Sequence, residues 1–180
     1  MKDSDLLKKY IKEYLNVVDN REETEKLLLV KSAFLKARQK RKKVIFAGNG
    51  ASAAIASHAS LDFTKQSGIR SVCFNEAAMI TAFGNDHGYE NWIAKALEFY
   101  ADKGDVVVLV SSSGRSPNII KAAKDAVEKG YTLVTFSGFD KNNPLRSIGK
   151  INLWADSRSY NIVESAHMFW LMCVSDLIKS

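Results

Sequence analysis

Apolar positions in the first forty residues recur at helical spacing. Leu6, Leu7, Tyr10, Ile11, Tyr14, Leu15 and Val18 fall on one stripe, which predicts an amphipathic helix over 3–18. Asp19-Asn20 interrupts the stripe. Leu27, Leu28, Val30, Phe34 and Leu35 then predict a second helix over 22–41. From Lys43 the pattern changes to short apolar runs alternating with helical stretches. The runs predict strands at Val44–Ala47, Ser71–Phe74, Val106–Val110, Thr132–Phe136 and Lys150–Trp154. Between them the spacing predicts a helix over 52–66 ended by Ser67-Gly68, a short one over Glu76–Phe83 closed by Gly84, and one over 89–101 that buries Trp92, Ile93, Ala96, Leu97 and Tyr100. A further helix begins at Pro117, with Ser116 as its N-cap, and stops at Gly130. The last helix spans 161–178.

Every residue of Val106–Val110 is apolar, so that strand needs cover on both faces. Five such strands joined by helical crossovers predict an α/β fold, a three-layer sandwich around an open parallel sheet. A chain of 180 residues forms one domain on this reading, with a helical hairpin over 1–42 leading into a core over 43–180. Ligands in such sheets bind outside the carboxyl ends of the strands.

Composition and charge adjust this picture only slightly. Two cysteines, Cys73 and Cys173, are far apart and fit neither a metal spacing nor a disulfide framework, so a cytoplasmic location is expected. The start, Met1-Lys2-Asp3-Ser4-Asp5, leads into a charged amphipathic stretch rather than a leader's apolar core. No apolar run reaches the roughly 20 residues of a membrane span. The net charge of +6 comes largely from Lys36, Arg38, Lys40, Arg41, Lys42 and Lys43. Cations at the end of a helix complement its dipole, and no aromatic residue interleaves them to stack bases. Nucleic-acid binding is therefore not expected.

Two turns carry the candidate chemistry. Gly48-Asn49-Gly50-Ala51-Ser52 follows the first strand and opens a helix, which leaves backbone N–H groups at the positive end of the dipole. Ser111-Ser112-Ser113-Gly114-Arg115-Ser116-Pro117 follows the third strand and crowds hydroxyls around another helix start. Together these can wrap a phosphate with neutral hydrogen bonds. The second turn lacks the Gly-Lys-Ser/Thr ending of a nucleotide-triphosphate loop, and the first lacks the third glycine of a dinucleotide fingerprint. On the helix leaving the first turn, His58 and Asp62 are four apart and share a face. A phosphate at the turn would bring the rest of its molecule towards an imidazole and a carboxylate.

These motifs, with Asn85-Asp86, resemble the sugar isomerase (SIS) domain, and more closely the phosphoheptose isomerases, over nearly the whole chain. The resemblance implies a flavodoxin-like SIS fold and a homotetramer with sites at subunit interfaces. It implies that Ser111, Ser112, Ser113 and Ser116, with Ser52 and the Gly50 turn, hold the phosphate. It also implies that Asn49 and Asp86 line the path of the sugar. The family carries His-x-x-x-Glu after the first turn, and on the last helix Gln-x-x-His with a second His five residues later. Zinc lies between these two helices.

Here His58 matches the first ligand and Asp62 stands for the glutamate. Glu164-Ser165-Ala166-His167 matches Gln-x-x-His in spacing, while Met172 stands at the second His. The metal set implied is His58, Asp62 and Glu164, with His167 one turn from Glu164 as a fourth candidate. A thioether cannot transfer a proton, so that role falls to a carboxylate. Ketose–aldose interconversion moves a proton between adjacent carbons through an enediol, and needs a base beside the carbon and an electrophile at the carbonyl. Asp62 and Glu164 are the candidate bases, with Glu164 favoured; His58 or a metal is the candidate electrophile. His167 lies in a run apolar on all sides and is equally readable as a core residue.

Two functions follow from the resemblance. One is isomerisation of sedoheptulose 7-phosphate to an aldose heptose 7-phosphate for surface polysaccharide. The alternative is a non-catalytic SIS module that senses a phosphosugar or docks a protein, as relatives that associate with the replication initiator do.

Overall fold

A computed structural model describes residues 2–179. Among them are seven α-helices and five parallel strands in one sheet, ordered β2-β1-β3-β4-β5. The strands are β1 (Val44–Gly48), β2 (Ser71–Cys73), β3 (Val106–Ser111), β4 (Thr132–Gly138) and β5 (Ile151–Ala155). The helices are α1 (Asp3–Val18), α2 (Arg21–Gln39), α3 (Ala51–Lys65), α4 (Ala77–His87), α5 (Trp92–Tyr100), α6 (Pro117–Glu128) and α7 (Tyr160–Lys179). This is the α/β sandwich that the alternating pattern predicts, with the strand order of flavodoxin-like folds.

The apolar strands are apolar because both faces are covered. Val44, Phe46, Val106, Val108, Val134 and Phe136 join a core with α2, α3 and α7. Their neighbours Ile45, Ala47, Val107, Leu109 and Leu133 point the other way, into a core with α5 and α6. This two-residue alternation turns five short strands into the floor of two hydrophobic layers. Phe34, Phe46 and Phe63 tie α2, β1 and α3 together, with ring centroids 4.9–6.1 Å apart.

The element boundaries move in places. Gly84 does not close α4; the helix runs on to His87 and ends at Gly88, whose φ of 84° supplies the left-handed turn. A glycine inside a helix costs only about 1 kcal/mol relative to alanine, and the neighbouring Phe83 stacks on Phe99 of α5 at 5.7 Å. Residues 88–91 are consumed by the turn, so α5 starts at Trp92 rather than at 89. The helix α2 ends at Gln39, short of the expected 41, where Arg41 adopts a φ of 55°.

The hairpin of α1 and α2 packs unequally. Helix α2 buries Leu27, Val30, Phe34 and Ala37, whereas α1 buries Val17 and leaves Leu6, Leu7, Tyr10, Ile11 and Leu15 exposed. No helix among the described residues is long and apolar enough to cross a membrane.

Candidate active site

The chain runs from β1 outward to β2, then crosses to the other side of β1 to lay down β3. The loops after β1 and β3 therefore flank the point where the strand order reverses, the place where open parallel sheets bind ligands. These loops line one cleft of about 260 Å³. Asn49, Gly50, Ala51 and Ser52 come from the first, Ser111, Ser112, Ser113 and Ser116 from the second, and Tyr160 and Glu164 from α7.

Backbone constraints shape both loops. A Cβ at Gly48 would sit 2.5 Å from the backbone of Ser52, so the strand can pass this close to the start of α3 only as glycine. The Asn75 side chain holds the same residue, donating to the Gly48 carbonyl at 2.7 Å and accepting from its N–H at 3.1 Å. Gly50 turns the chain with φ 55° and ψ −126°, a region for glycine alone. In the second loop, Gly114 has φ 62° and the Asn143 side chain fills the space a Cβ would need.

The hydroxyls are not spent on capping. Ser116 occupies the N-cap position of α6, as expected, but makes no side-chain bond to the helix; its Oγ lies 3.4 Å from Ser111 Oγ. Gly50 leaves the first turn of α3 equally uncapped. Ser52, Ser111 and Ser112 are buried yet line the cleft. Two helix starts without side-chain acceptors, ringed by serine hydroxyls, leave N–H and O–H donors of the kind that can hold a tetrahedral anion. Ser112 Oγ also donates to Glu164 Oε1 at 3.3 Å, which joins the second loop to the carboxylate on α7.

The profile of the SIS domain matches residues 9–138. Curated relatives named phosphoheptose isomerase include one from Burkholderia pseudomallei, 34% identical over 143 residues and covering 76% of this chain and 72% of that protein. Another, from Sulfurimonas denitrificans, is 30% identical over 187 residues and covers 96% of this chain and 95% of its own length. The chain belongs to the phosphoheptose isomerase family. Its fold is that of the phosphoheptose isomerase from Neisseria gonorrhoeae, with a TM-score of 0.88 at 23% identity over 98% of this chain and 99% of that one. The same fold appears in Vibrio vulnificus NanR complexed with ManNAc-6P, with a TM-score of 0.69 at 14% identity over 98% of this chain and 63% of that one.

Seen against the phosphoheptose isomerase pattern, the remaining candidates separate. His58 Nε2 and Asp62 Oδ2 are 3.4 Å apart on α3, with the imidazole half-exposed, but neither lines the cleft. Asp86, near the end of α4, takes a 2.9 Å bond from Asn85 Nδ2 and also lies outside the lining. His167 is fully buried, its Nε2–H donating to the Ser137 carbonyl of β4 at 3.0 Å. Burial pushes its pKa down to about 4. Packed against Phe136 and Trp170 and outside the lining of the cleft, His167 takes the core position that the sequence left open beside the ligand reading. Met172 packs partly buried against the same core.

The family implies zinc. Among the described residues, no group of three or more His, Cys, Asp or Glu side chains comes together to hold a metal ion. His58 and Asp62 pair with each other, Glu164 bonds Ser112, and the thioether of Met172 replaces an imidazole with a softer, weaker ligand for zinc. The donors within one chain do not fit the metal.

Sequence reasoning missed Tyr160, although its four-residue spacing from Glu164 on α7 puts both on one face. The Tyr160 ring stands edge-on to Phe139 at 4.7 Å and walls the cleft beside the carboxylate.

Proposed function

We propose that this chain interconverts sedoheptulose 7-phosphate and an aldose heptose 7-phosphate, a step towards a surface polysaccharide. The observation that carries this reading is the shared cleft, lined both by the serine-rich helix starts and by a carboxylate, Glu164, which meets them at Ser112. Membership of the phosphoheptose isomerase family supports the choice of sugar.

The phosphoryl group lies against Ser52, Ser111, Ser112, Ser113 and Ser116 and the two helix starts. This holds the carbon chain by its far end and leaves its carbonyl end to reach the carboxylate. Glu164 takes the proton from C1 of the ketose while a solvent water protonates the C2 carbonyl oxygen, giving an enediol. The proton on Glu164 then returns to C2 while the O1 proton passes back to solvent water, giving the aldose with no net change of oxidation state across the sugar. In the free protein Ser112 donates its one hydroxyl hydrogen to Glu164; in the complex that hydrogen turns to a phosphoryl oxygen and leaves the carboxylate to the substrate carbon, with Tyr160 walling the cleft beside it. No step runs through a metal.

The assembly in this reading is a homotetramer with sites at subunit interfaces. The apolar stripe on α1 supports it, since Leu7 is 60% and Leu15 54% exposed and both need cover. The position of His58 and Asp62 outside their own chain's cleft supports it too, because the half-exposed His58 imidazole on α3 can face a neighbour. The compartment is the cytoplasm, in keeping with Cys73 and Cys173 as free thiols.

A second reading, a non-catalytic phosphosugar sensor, is favoured by one observation: Met172 stands where the family carries a proton-transferring histidine. Incubation with sedoheptulose 7-phosphate and detection of an aldose product separates the two.

A further inference from the structure

Asn49 lines the phosphosugar cleft, yet most of its hydrogen-bonding capacity is used within the protein. Its Nδ2 donates to Asn118 Oδ1 at 2.9 Å, and Asn118 Nδ2 donates back to Asn49 Oδ1 at 2.9 Å. Tyr89 OH donates to the same Oδ1 at 3.1 Å. A carboxamide offers two acceptor sites and two donor hydrogens. Both acceptor sites of Asn49 are therefore filled, and one N–H remains.

The two partners come from different parts of the fold. Asn118 sits in the first turn of α6 with 1% of its surface exposed, so its amide is fixed by packing. Tyr89 lies in the 88–91 turn between α4 and α5 and is 55% exposed. A second cavity of about 480 Å³ adjoins the cleft at this point, and Asn49 and Ser116 line both. Tyr89, Glu90, Pro117 and Asn118 form the rest of its lining. The Asn49 carboxamide is thus a partition between two spaces, clamped from behind.

We propose that Asn118 and Tyr89 are positioning residues that lock the Asn49 carboxamide so that it presents a single N–H donor, and only a donor, to an acceptor oxygen of the bound sugar phosphate. The inference rests on the phosphosugar reading of the cleft. A free asparagine can rotate to offer either its oxygen or its nitrogen. Held by a buried amide on one edge and a phenol on its oxygen, Asn49 offers no acceptor to a hydroxyl hydrogen. A sugar carbon that turns a hydroxyl oxygen or a carbonyl oxygen towards residue 49 is accepted, and one whose only approach is through its O–H hydrogen is not. The lock acts on recognition rather than on proton transfer.

The test is a cycle of variants read by affinity and turnover together. Tyr89→Phe keeps the ring and removes the hydroxyl at an exposed position. It is expected to weaken sedoheptulose 7-phosphate binding about fivefold, the size of one lost neutral hydrogen bond, and to raise KM with kcat changed less than about twofold. Affinity for inorganic phosphate, which the serine cradle holds, stays unchanged. In an Asn49→Ala background, Tyr89→Phe has no further effect, because the group it positions is gone. Asn118→Asp keeps the shape and the acceptor while removing the donor, and reproduces the affinity loss in a folded protein whose thermal midpoint is lowered by the buried carboxylate.

Equal losses from Tyr89→Phe with and without Asn49, or no loss with Asn49 present, overturn the proposal. A wild-type chain that binds the sugar phosphate without turning it over overturns the isomerase reading alone, since the cycle is still read by affinity. Failure of the wild type to bind it overturns both.

Discussion

Ser112 Oγ donates to Glu164 Oε1 across 3.3 Å, and this bond links the loop after β3 to the first turns of α7. Its one hydrogen serves one half of the site at a time, the carboxylate in the free protein and the phosphoryl group in the proposed complex. Replacing Ser112 with alanine removes both contacts. The expected outcome is a KM for the sugar phosphate raised by about tenfold or more, the scale of a hydrogen bond to a charged group, with a smaller fall in kcat. Steady-state kinetics on the purified variant checks it. A variant with wild-type KM would mean that the phosphate lies elsewhere.

Gly48 is where the sheet and the cradle meet. With Ser52 backbone atoms 2.5 Å from the position of an added Cβ, Gly48→Ala forces the start of α3 away from β1. A loss of about 2–4 kcal/mol in stability is expected, as for overpacking against backbone that cannot yield. The midpoint of urea unfolding reads it. The same change at Gly130, where a Cβ meets nothing within 4 Å but φ is 75°, acts only through the backbone and costs less.

His167 predicts a pH dependence of stability. Burial lowers its pKa in the folded chain from 6.5 to about 4, so between those values the unfolded chain binds the proton and the folded chain does not. Stability from this group is intact above about pH 6.5 and is lost as the pH falls towards 4, by up to about 3 kcal/mol. Replacing His167 with a residue that does not titrate flattens that part of the curve. Thermal midpoints taken from pH 7.5 down to 4.5 on both proteins check the sign.

The exposed stripe on α1 predicts assembly. Light scattering on the wild type is expected to give about four times the 20.0 kDa of the chain. Leu7→Glu with Leu15→Glu places charges on residues that are exposed in a single chain and is expected to lower the mass without unfolding the protein. An unchanged mass would place the interface on another face.

Much of the fold was legible because its cause is local. Val106–Val110 reads as a buried strand from five apolar residues in a row, and each face of it finds its own core. The two connections, from β1 to α3 and from β3 to α6, were legible for the same reason, because glycine and serine favour turns and helix starts. The end of α4 was not, because Gly84 and Gly88 are equally plausible stops in sequence and the Phe83–Phe99 stack that carries the helix past the first is a contact between helices. His167 was ambiguous because a histidine in an apolar helix reads the same as a ligand or a core residue until the Ser137 carbonyl appears beside it. Tyr89 carried no signal at all. Its partner Asn49 is forty positions away, and no periodicity connects a turn residue to a loop at that distance.

The most direct test of the site is turnover of sedoheptulose 7-phosphate by the wild type beside Glu164→Gln, with binding of the sugar phosphate measured on both. An isomerase whose base is Glu164 forms the aldose heptose phosphate as the wild type and loses about 10²–10⁴-fold in kcat in the variant, with affinity for the sugar phosphate retained. Binding without any aldose product from the wild type, or a Glu164→Gln variant as fast as the wild type, would contradict it.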